Sequence, residues 1–406
     1  LYWVAYQLGG LNPSFFRFIN IFFHTGSVFL IFAILNQLQS KKSALFVAAV
    51  FAVHPAISEA VVWISGGSYP QYSFFLLLSF LFYILSSRRK FFYLLSSIFY
   101  LLSLMSHPVM PLGLFLVFPA FELTFGNLRK NWLKAIPFLL ISIVYVFINL
   151  AAIPERTTTL QSTHYQEKGV DNLFLIIPIA ISSYFELIFW PETLTLYHSE
   201  LSFGPINFAV RSISTLLFFV AIAITFVKNR KICFWLSFSL IALSPTLTPF
   251  RFNWIVAERY LYLPILGILT AVAILAENYL KFLRSKLLIY TFFILIIAAL
   301  SIRTFVRNID WKNEDNLWIA TGKTSPSSPN THNNLGDVYG RWGNKQRALQ
   351  EFQTAIALKP NYGDAHHNLA NTYRELGQLD KALENYQKAA SFNPNLWQSY
   401  QNIAAL

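Results

Sequence analysis

The sequence predicts an all-α fold in two parts, a polytopic bundle of transmembrane helices followed by a solenoid of paired helices. Three observations predict it. The 406 residues are 55% hydrophobic, 17% aromatic and only 12% charged, too apolar for a soluble chain. Apolar runs long enough to span a bilayer, or nearly so, recur up to residue 306. From Asp310 the pattern turns polar and amphipathic, and a repeat with a period of 34 residues follows.

Taken in order, the predicted spans are 15–37, 43–62, 71–87, 91–105, 108–125, 132–152, 207–227, 232–248, 260–280 and 287–306. Basic clusters separate them: Lys41 and Lys42, Arg88 to Lys90, Arg129 to Lys134, Lys228 to Lys231, and Lys281 to Lys286. The positive-inside rule makes these cytoplasmic, so topology rather than nucleic acid accounts for most of the net charge of +12. The outward side then holds Leu1 to Pro13, His54 to Pro70, the Ser106 to Pro108 turn, Ile153 to Asn172, Phe250 to Arg259, and everything after Arg307. Leu173 to Trp190 breaks the parity, because a crossing there would put Lys228 to Lys231 outside. It is expected to be re-entrant or to lie along the outer interface, beside an outward cavity where non-helical backbone is tolerated. Cys233 stands alone, which excludes an intrachain disulfide. The chain starts at Leu1 with no basic segment ahead of an apolar core, so no signal peptide is visible and a fragment of a longer protein is expected.

After the membrane part (1–306), residues 307–328 form a linker with a degenerate half repeat. The repeats occupy 329–362 and 363–396, and a third begins at 397–406. Leu335, Gly336, Tyr339, Gly343, Ala348, Phe352, Ala355 and Pro360 recur as Leu369, Ala370, Tyr373, Gly377, Ala382, Tyr386, Ala389 and Pro394. Small residues let paired helices approach, aromatics fill the space between them, and proline closes the second helix. This spacing resembles the tetratricopeptide repeat (TPR). Asn334, Asn368 and Asn402 recur at the same interval and are predicted to form an amide ladder able to hold a peptide backbone. The ladder resembles that of the O-linked N-acetylglucosamine transferase repeats, although asparagine is common there in repeats of any function.

The chemistry is expected at two interruptions of the apolar runs. In PFRFNWIVAERYLYLP, Pro249 to Pro264, three charges fall within nine residues: Arg251, Glu258 and Arg259. A charge at membrane depth costs about 2.5–3.5 kcal/mol on insertion scales, so the cluster is expected at a water-facing mouth. Arginine suits bidentate contact with phosphate, and Glu258 would orient an arginine rather than bind a metal. The competing reading is an interfacial anchor with Tyr260 and Tyr262 in an aromatic belt. In HPAISEAVVW, His54 and Glu59 are expected to line an outer vestibule, with Trp63 on the face of Glu59, or else to cap a helix end beside an interfacial tryptophan. His24 is expected to be packed or to line the vestibule. Arg156, His164, Tyr165 and Lys168, and later Glu192, Tyr197, His198 and Glu200, are expected to be solvated loop residues, since no metal-ligand spacing links them. No phosphate-cradling GxxxxGK[ST] run, GxGxxG turn, CxxC pair or GxSxG elbow occurs, which argues against nucleotide-driven transport, dinucleotide redox, zinc and serine-hydrolase functions.

HPAISEAVVW, SHPVMPLGLFLVFPAFEL at Ser106 to Leu123, VAERYLYLP at Val256 to Pro264 and the repeats, in that order, resemble the transmembrane and tetratricopeptide-repeat O-mannosyltransferase family. That family belongs to the GT-C glycosyltransferases. The resemblance implies a GT-C-like membrane domain lacking its first helix and first outward loop. It implies transfer of a hexose, mannose-like, from a polyprenyl-phosphate carrier to a Ser or Thr of a protein held by outward TPRs. Arg259, Arg251 and Glu258 would then bind the donor phosphate, His54, Glu59 and His107 would shape the vestibule, and the acidic catalytic residues would precede Leu1. The lipid-linked sugar is expected as donor substrate with no certain cofactor, a divalent metal being compatible with the reading but not indicated by the sequence. The expected setting is a plasma (inner) membrane of a bacterium, with the TPRs extracytoplasmic. The chain departs from the family where Gly67 and Tyr69 stand for its usual Arg and Asp, and where His107 stands for its usual lysine. These departures favour a rival reading, an inactive membrane-anchored TPR scaffold for protein partners. A transporter is the weaker third reading, as no inverted repeat is visible.

Overall fold

The computed structural model describes residues 2–149, 173–201, 204–247, 254–280 and 286–406. Arg251 and the loop carrying Arg156, His164, Tyr165 and Lys168 lie outside the described residues. The described residues form helices and no strands. They divide into two compact units, Leu1–Glu192 with Phe203–Asn308, and Thr193–Ser202 with Ile309–Leu406.

The first unit begins with α1 (Tyr2–Gly9) and α2 (Pro13–Leu38). Pro13 starts α2 at a position whose N–H needs no partner, and the Asn12 side chain accepts from the Ser14 N–H. Helix α3 (Lys41–Val53) is followed by a 58° bend into Pro55–Val62, whose last residues form α4 (Ser58–Val62). Pro55 dictates the bend, since it offers no N–H and forces His54 out of helical geometry, to φ −73°, ψ 123°. Next come α5 (Ser68–Leu85), α6 (Lys90–Ser106), α7 (Val117–Thr124), α8 (Leu128–Asn131) and α9 (Ile136–Asn149). Helices α5 and α6 pack closely because serines replace bulk at their interface. Ser79 Oγ donates to the Ser96 carbonyl at 2.7 Å and Ser96 Oγ to the Ser79 carbonyl at 2.8 Å. The unit is completed by α10 (Leu173–Phe189), α11 (Pro205–Lys228), α12 (Arg230–Leu243), α13 (Ile265–Leu280) and α14 (Lys286–Asp310).

Among the described residues five helical stretches are long and apolar enough to cross a membrane, Pro13–Leu38, Ile64–Leu85, Leu128–Asn149, Pro205–Lys228 and Leu287–Asp310, and the bent pair Lys41–Val53 with Pro55–Val62 makes a sixth if it is one span. Phe18, Phe29, Phe147, Leu216 and Leu295 point outward from them, as lipid-facing residues do. The chain is an integral membrane protein. Ten spans are expected from sequence, and the shorter apolar helices Lys90–Ser106, Leu112–Thr124 and Ile265–Tyr279 fall within three of the other four. Helices α6, α12 and α13 have 17, 14 and 16 residues, and at 1.5 Å per residue reach about 21–26 Å against a hydrocarbon core of about 30 Å. Leu173–Phe189, expected to be re-entrant or to lie along the outer interface, is one continuous helix that carries Pro178 within it.

In the second unit, α15 (Glu314–Thr324) is followed by the pairs α16 (Pro329–Arg341) with α17 (Lys345–Leu358) and α18 (Gly363–Glu375) with α19 (Leu379–Phe392), then α20 (Trp397–Ala405). Gly343 and Gly377 end the first helix of each pair at φ 77° and 74°, a region other residues rarely enter. Trp318, Leu335, Val338, Tyr339, Ala348 and Phe352 belong to one core, and Ala370, Ala382 and Tyr386 to the next. Thr193–Ser202 belongs to this unit, which corrects the expectation that Tyr197 is a solvated loop residue, while Glu200 is exposed as expected. Tyr197 stacks on Trp318 with centroids 6.0 Å apart, and Glu200 Oε1 accepts from the Ser327 N–H at 2.9 Å. Apolar Leu196 and Tyr197 pack on a core that α15 alone leaves open.

Candidate functional site

The bend at Pro55 creates the site. It turns α4 so that Glu59 is fully buried, 0% exposed, and aims its carboxylate at the short 3-10 turn Glu258–Leu261. Arg259 Nη1 donates to Glu59 Oε1 at 2.6 Å, and the Arg259 backbone N–H donates to Oε2 at 2.8 Å. The guanidinium, on a residue 9% exposed, lies over the rings of Trp63 and Tyr260, each 5.1 Å from its Cζ. A planar cation gains from both aromatic faces, and the carboxylate fixes its plane. The neighbouring Glu258, 0% exposed, pairs with Arg307 of α14, 1% exposed, at 3.3 Å. Two opposite charges adjacent in sequence are thus held by separate partners on separate helices. Removing either partner would strand a buried charge, at a cost of about 3–5 kcal/mol.

Around this corner, Tyr260 lies 6.0 Å from Tyr69, and Tyr69 lies 4.9 Å from the ring of His107. Arg259, Glu59 and His107 are therefore brought together, the last through Tyr69. His107 is half-buried, and its Nδ1 accepts from the backbone N–H groups of Val109 and Met110 at 3.2 and 3.1 Å, capping the turn that follows α6.

His54 does not line an open vestibule. It is 3% exposed, its Nδ1 accepts from the Ala56 N–H at 3.3 Å, and its Nε2 donates to the Ile188 carbonyl of α10 at 3.0 Å. Both nitrogens are spent on holding the bend against α10, so its role is structural. Glu258 pairs with an arginine, as expected, but with Arg307 rather than Arg259. It is the counterion of Arg307, an arginine the sequence reading left outside the site. His24 is packed, stacking on Phe51 and meeting the Tyr262 hydroxyl at 2.9 Å.

The last two turns of α14 tie the corner together. Thr304 Oγ1 donates to the Val53 carbonyl at 2.6 Å, satisfying a group that the Pro55 break leaves without a helical partner. Arg303 donates to the carbonyls of Pro191 and Glu192 at 3.1 and 2.7 Å. The signal for this in the sequence is Arg303 and Arg307, four apart at the end of an apolar run and so on one helix face.

Gly67, where the family motif carries arginine, abuts a filled space. A Cβ there would lie 2.0 Å from Asn20 Oδ1 and 2.5 Å from the Tyr2 hydroxyl. Asn20 in turn donates to the Val61 and Trp63 carbonyls at 3.2 and 3.1 Å, supporting the segment between Glu59 and Gly67.

In the second unit Asn334, Asn368 and Asn402 each make a hydrogen bond within the repeats. Asn334 Nδ2 donates to the Asn330 carbonyl at 2.7 Å, Asn368 Nδ2 to Asn333 Oδ1 at 3.1 Å, and Asn402 Nδ2 to Asn371 Oδ1 at 3.3 Å, while Arg374 donates to Asn402 Oδ1 at 2.9 Å. Each amide nitrogen donates one hydrogen bond within the repeats, and all three asparagines remain partly exposed. Among the described residues no group of three or more His, Cys, Asp or Glu is placed to hold a metal ion.

Models of the tetratricopeptide repeat family match residues 329–362 and 363–396. Among solved structures, the crystal structure of MamA aligns at 25% identity over 32% of this chain and 72% of its own, with a TM-score of 0.22. Protein O-mannosyl-transferase Tmtc2 of Drosophila melanogaster is 34% identical over 116 residues, 28% of this chain and 12% of that protein. Protein O-mannosyl-transferase F38B6.6 of Caenorhabditis elegans is 24% identical over 391 residues, 89% of this chain and 53% of its own. Protein O-mannosyl-transferase TMTC3 of Homo sapiens is 24% identical over 398 residues, 88% and 43%. The chain spans about half the length of these relatives, or less. Over most of its length it is therefore similar to protein O-mannosyl-transferases, and with its repeats it shares the layout of the transmembrane and tetratricopeptide-repeat O-mannosyltransferase family that its motifs resemble.

Proposed function

We propose that the chain is the membrane and repeat portion of a GT-C type glycosyltransferase, which moves a mannose-like hexose from a polyprenyl-phosphate carrier to a serine or threonine of a protein. The observation that carries this reading is Arg259, kept in an apolar unit, fixed by Glu59 and backed by two aromatic rings. In the reaction the acceptor oxygen bonds to the anomeric carbon while the bond from that carbon to the phosphate oxygen breaks. The hydroxyl proton passes to a carboxylate, which the motif resemblance puts ahead of Leu1, and polyprenyl phosphate leaves. Negative charge grows on the phosphate as the bond breaks, and an oriented guanidinium stabilises it most at that moment. The TPR unit holds the acceptor polypeptide, and it faces the extracytoplasmic side along with Arg259.

The test is sugar transfer from polyprenyl-phosphate mannose to serine- and threonine-containing peptides by the purified full-length protein, beside Arg259→Ala. Loss of transfer in the variant is expected, and unchanged transfer would overturn the role given to the arginine. A second reading, an inactive scaffold that recruits proteins through its repeats, is favoured by Gly67, whose neighbourhood Asn20 and Tyr2 occupy where the family has a charge. Absence of transfer by the unaltered full-length protein, with peptide binding retained, would decide for the scaffold.

A further inference from the structure

Outside the Arg259 corner, the membrane unit builds another arginine into an apolar helix. Arg211 stands in the second turn of α11, about 9 Å along the axis from Pro205 and toward the end opposite Lys228. A charge on such a helix is costly, and this side chain is only 17% exposed. Its Nη1 donates to Ser182 Oγ at 2.9 Å and to Ser183 Oγ at 2.8 Å, both on α10, and its Nη2 donates to Glu186 Oε2 at 3.3 Å. These bonds leave the Nε hydrogen and one Nη2 hydrogen for a further acceptor.

The two serines, each 5% exposed, are not equivalent. The Ser182 hydroxyl gives its hydrogen to the Ile179 carbonyl at 3.1 Å, whereas the Ser183 hydroxyl accepts from Arg211 and has no acceptor for its own hydrogen among the described residues. A buried donor left without an acceptor costs stability, so the arrangement is completed by an incoming oxygen. Glu186 does not supply the missing anion. It is 61% exposed and meets Arg211 through one oxygen, as surface pairs of little net strength do. The helix is open to lipid at this level, since Val210, Ile213 and Leu217 are exposed and apolar. On α10 the next residue, Tyr184, lines an apolar cavity together with Leu261, which ends the turn that carries Arg259.

We propose that Arg211 and Ser183 form a binding site for the phosphate of a lipid, separate from Arg259 and independent of the transfer reaction. Nε and Nη2 present the side-on fork that arginine offers to oxyanions, and the Ser183 hydroxyl adds a third hydrogen bond. Two lipids carry this chemistry at the boundary between headgroups and hydrocarbon, a polyprenyl-phosphate carrier and an ordinary phospholipid. Glu186 competes with either for Nη2.

The measurement is photolabelling of the full-length protein in detergent. The probes are a polyprenyl phosphate and a phosphatidylglycerol, each with a diazirine beside the phosphate, and the matching polyprenol as an uncharged control. Labelled peptides are located by mass spectrometry. A phosphate probe should label α10 and α11 around Ser183 and Arg211, and the polyprenol should not. The unlabelled competitor that suppresses this labelling at the lower concentration, undecaprenyl phosphate or phosphatidylglycerol, identifies the source. Arg211→Gln should lower labelling at least about tenfold, as loss of hydrogen bonds from a charged donor implies, and Arg259→Ala should leave it in place. Glu186→Gln keeps the guanidinium and both serines and should raise labelling; it carries the test should Arg211→Gln not fold. Labelling that is absent, equal with the polyprenol, or unchanged in both Arg211→Gln and Glu186→Gln overturns the proposal and leaves Arg211 as a tie between two helices. Loss of labelling in Arg259→Ala overturns it as well, by showing a single site. Failure of sugar transfer by the unaltered protein bears on the role of Arg259 and not on this site.

Discussion

One carboxylate grips residue 259 twice: Glu59 takes the Arg259 guanidinium on Oε1 at 2.6 Å and the Arg259 backbone N–H on Oε2 at 2.8 Å. The two residues are 200 positions apart, yet this contact fixes both the turn and the direction of its side chain. Glu59→Gln keeps the shape but gives up the charge and one acceptor. We expect it to lower the thermal stability of the detergent-solubilised protein by about 3 kcal/mol or more, and to reduce transfer at least tenfold. Retained melting behaviour by scanning fluorimetry would show that the pair contributes little.

Trp63→Leu removes one of the two faces that carry the Arg259 guanidinium while leaving its ion pair in place. A cation–π contact in a desolvated site is worth up to about 2 kcal/mol. The donor KM should therefore rise by up to about thirtyfold with the fold intact, as read by donor titration and circular dichroism.

Gly67→Ala puts a Cβ 2.0 Å from Asn20 Oδ1 in a packed interior. Overpacking of this kind costs about 1–3 kcal/mol, and the melting temperature should fall accordingly. Asn20→Ala alone also destabilises, because it strips the Val61 and Trp63 carbonyls of a donor. Combined with Gly67→Ala it should cost less than the sum of the two. Simple additivity would mean that the two residues do not share the space.

Two histidines of the repeats should respond to pH in opposite directions. His332 lies between Glu351 Oε2 at 2.7 Å and the Pro326 carbonyl at 2.8 Å, both acceptors, so the doubly protonated ring fits best. The hydrogen bond to Glu351 raises its pKa above 6.5, against an opposing effect of burial. Its contribution is fully present below pH 6.5 and is lost as pH rises through the raised folded value. His367 is held below 6.5, chiefly by burial, so its contribution is present above that value and is lost as pH falls through the folded one. Amide hydrogen exchange on the full-length protein should show protection around His332 to Glu351 falling as pH rises above 6.5. Protection around His367 and its partner Ser399 should fall as pH drops below 6.5.

Tyr197→Ala removes the ring that stacks on Trp318. Because Tyr197 is only partly buried, a loss of about 1–3 kcal/mol is expected in the first helix of the repeat unit. It should be seen as faster exchange in Glu314–Thr324 with Leu379–Phe392 unchanged. Uniform exchange rates would mean that Thr193–Ser202 merely lies over the core.

Much of the architecture was legible from the sequence because its causes are local. Apolar runs bounded by lysine and arginine announce membrane helices, and the helices of the repeat follow from residues such as Leu335, Phe352 and Pro360 returning 34 positions later. Helix length was less legible, since α6 and α12 satisfy the apolar pattern in 17 and 14 residues. Thr193–Ser202 read as loop because nothing in ten polar and mixed residues states that a tryptophan more than a hundred positions away needs covering.

The sequence by itself determined that charge is retained at His54 to Trp63 and at Glu258 to Arg259, because an apolar chain pays for every such residue and local composition displays it. Only the tertiary structure decided which charges are partners. It gave Arg259 to Glu59 and Glu258 to Arg307, kept His54 for the helix bend and linked Asn368 to Asn333. The physical reason is range: helix formation and hydrophobicity act over a few residues, whereas a buried ion pair depends on which helices the whole fold brings within about 3 Å of each other.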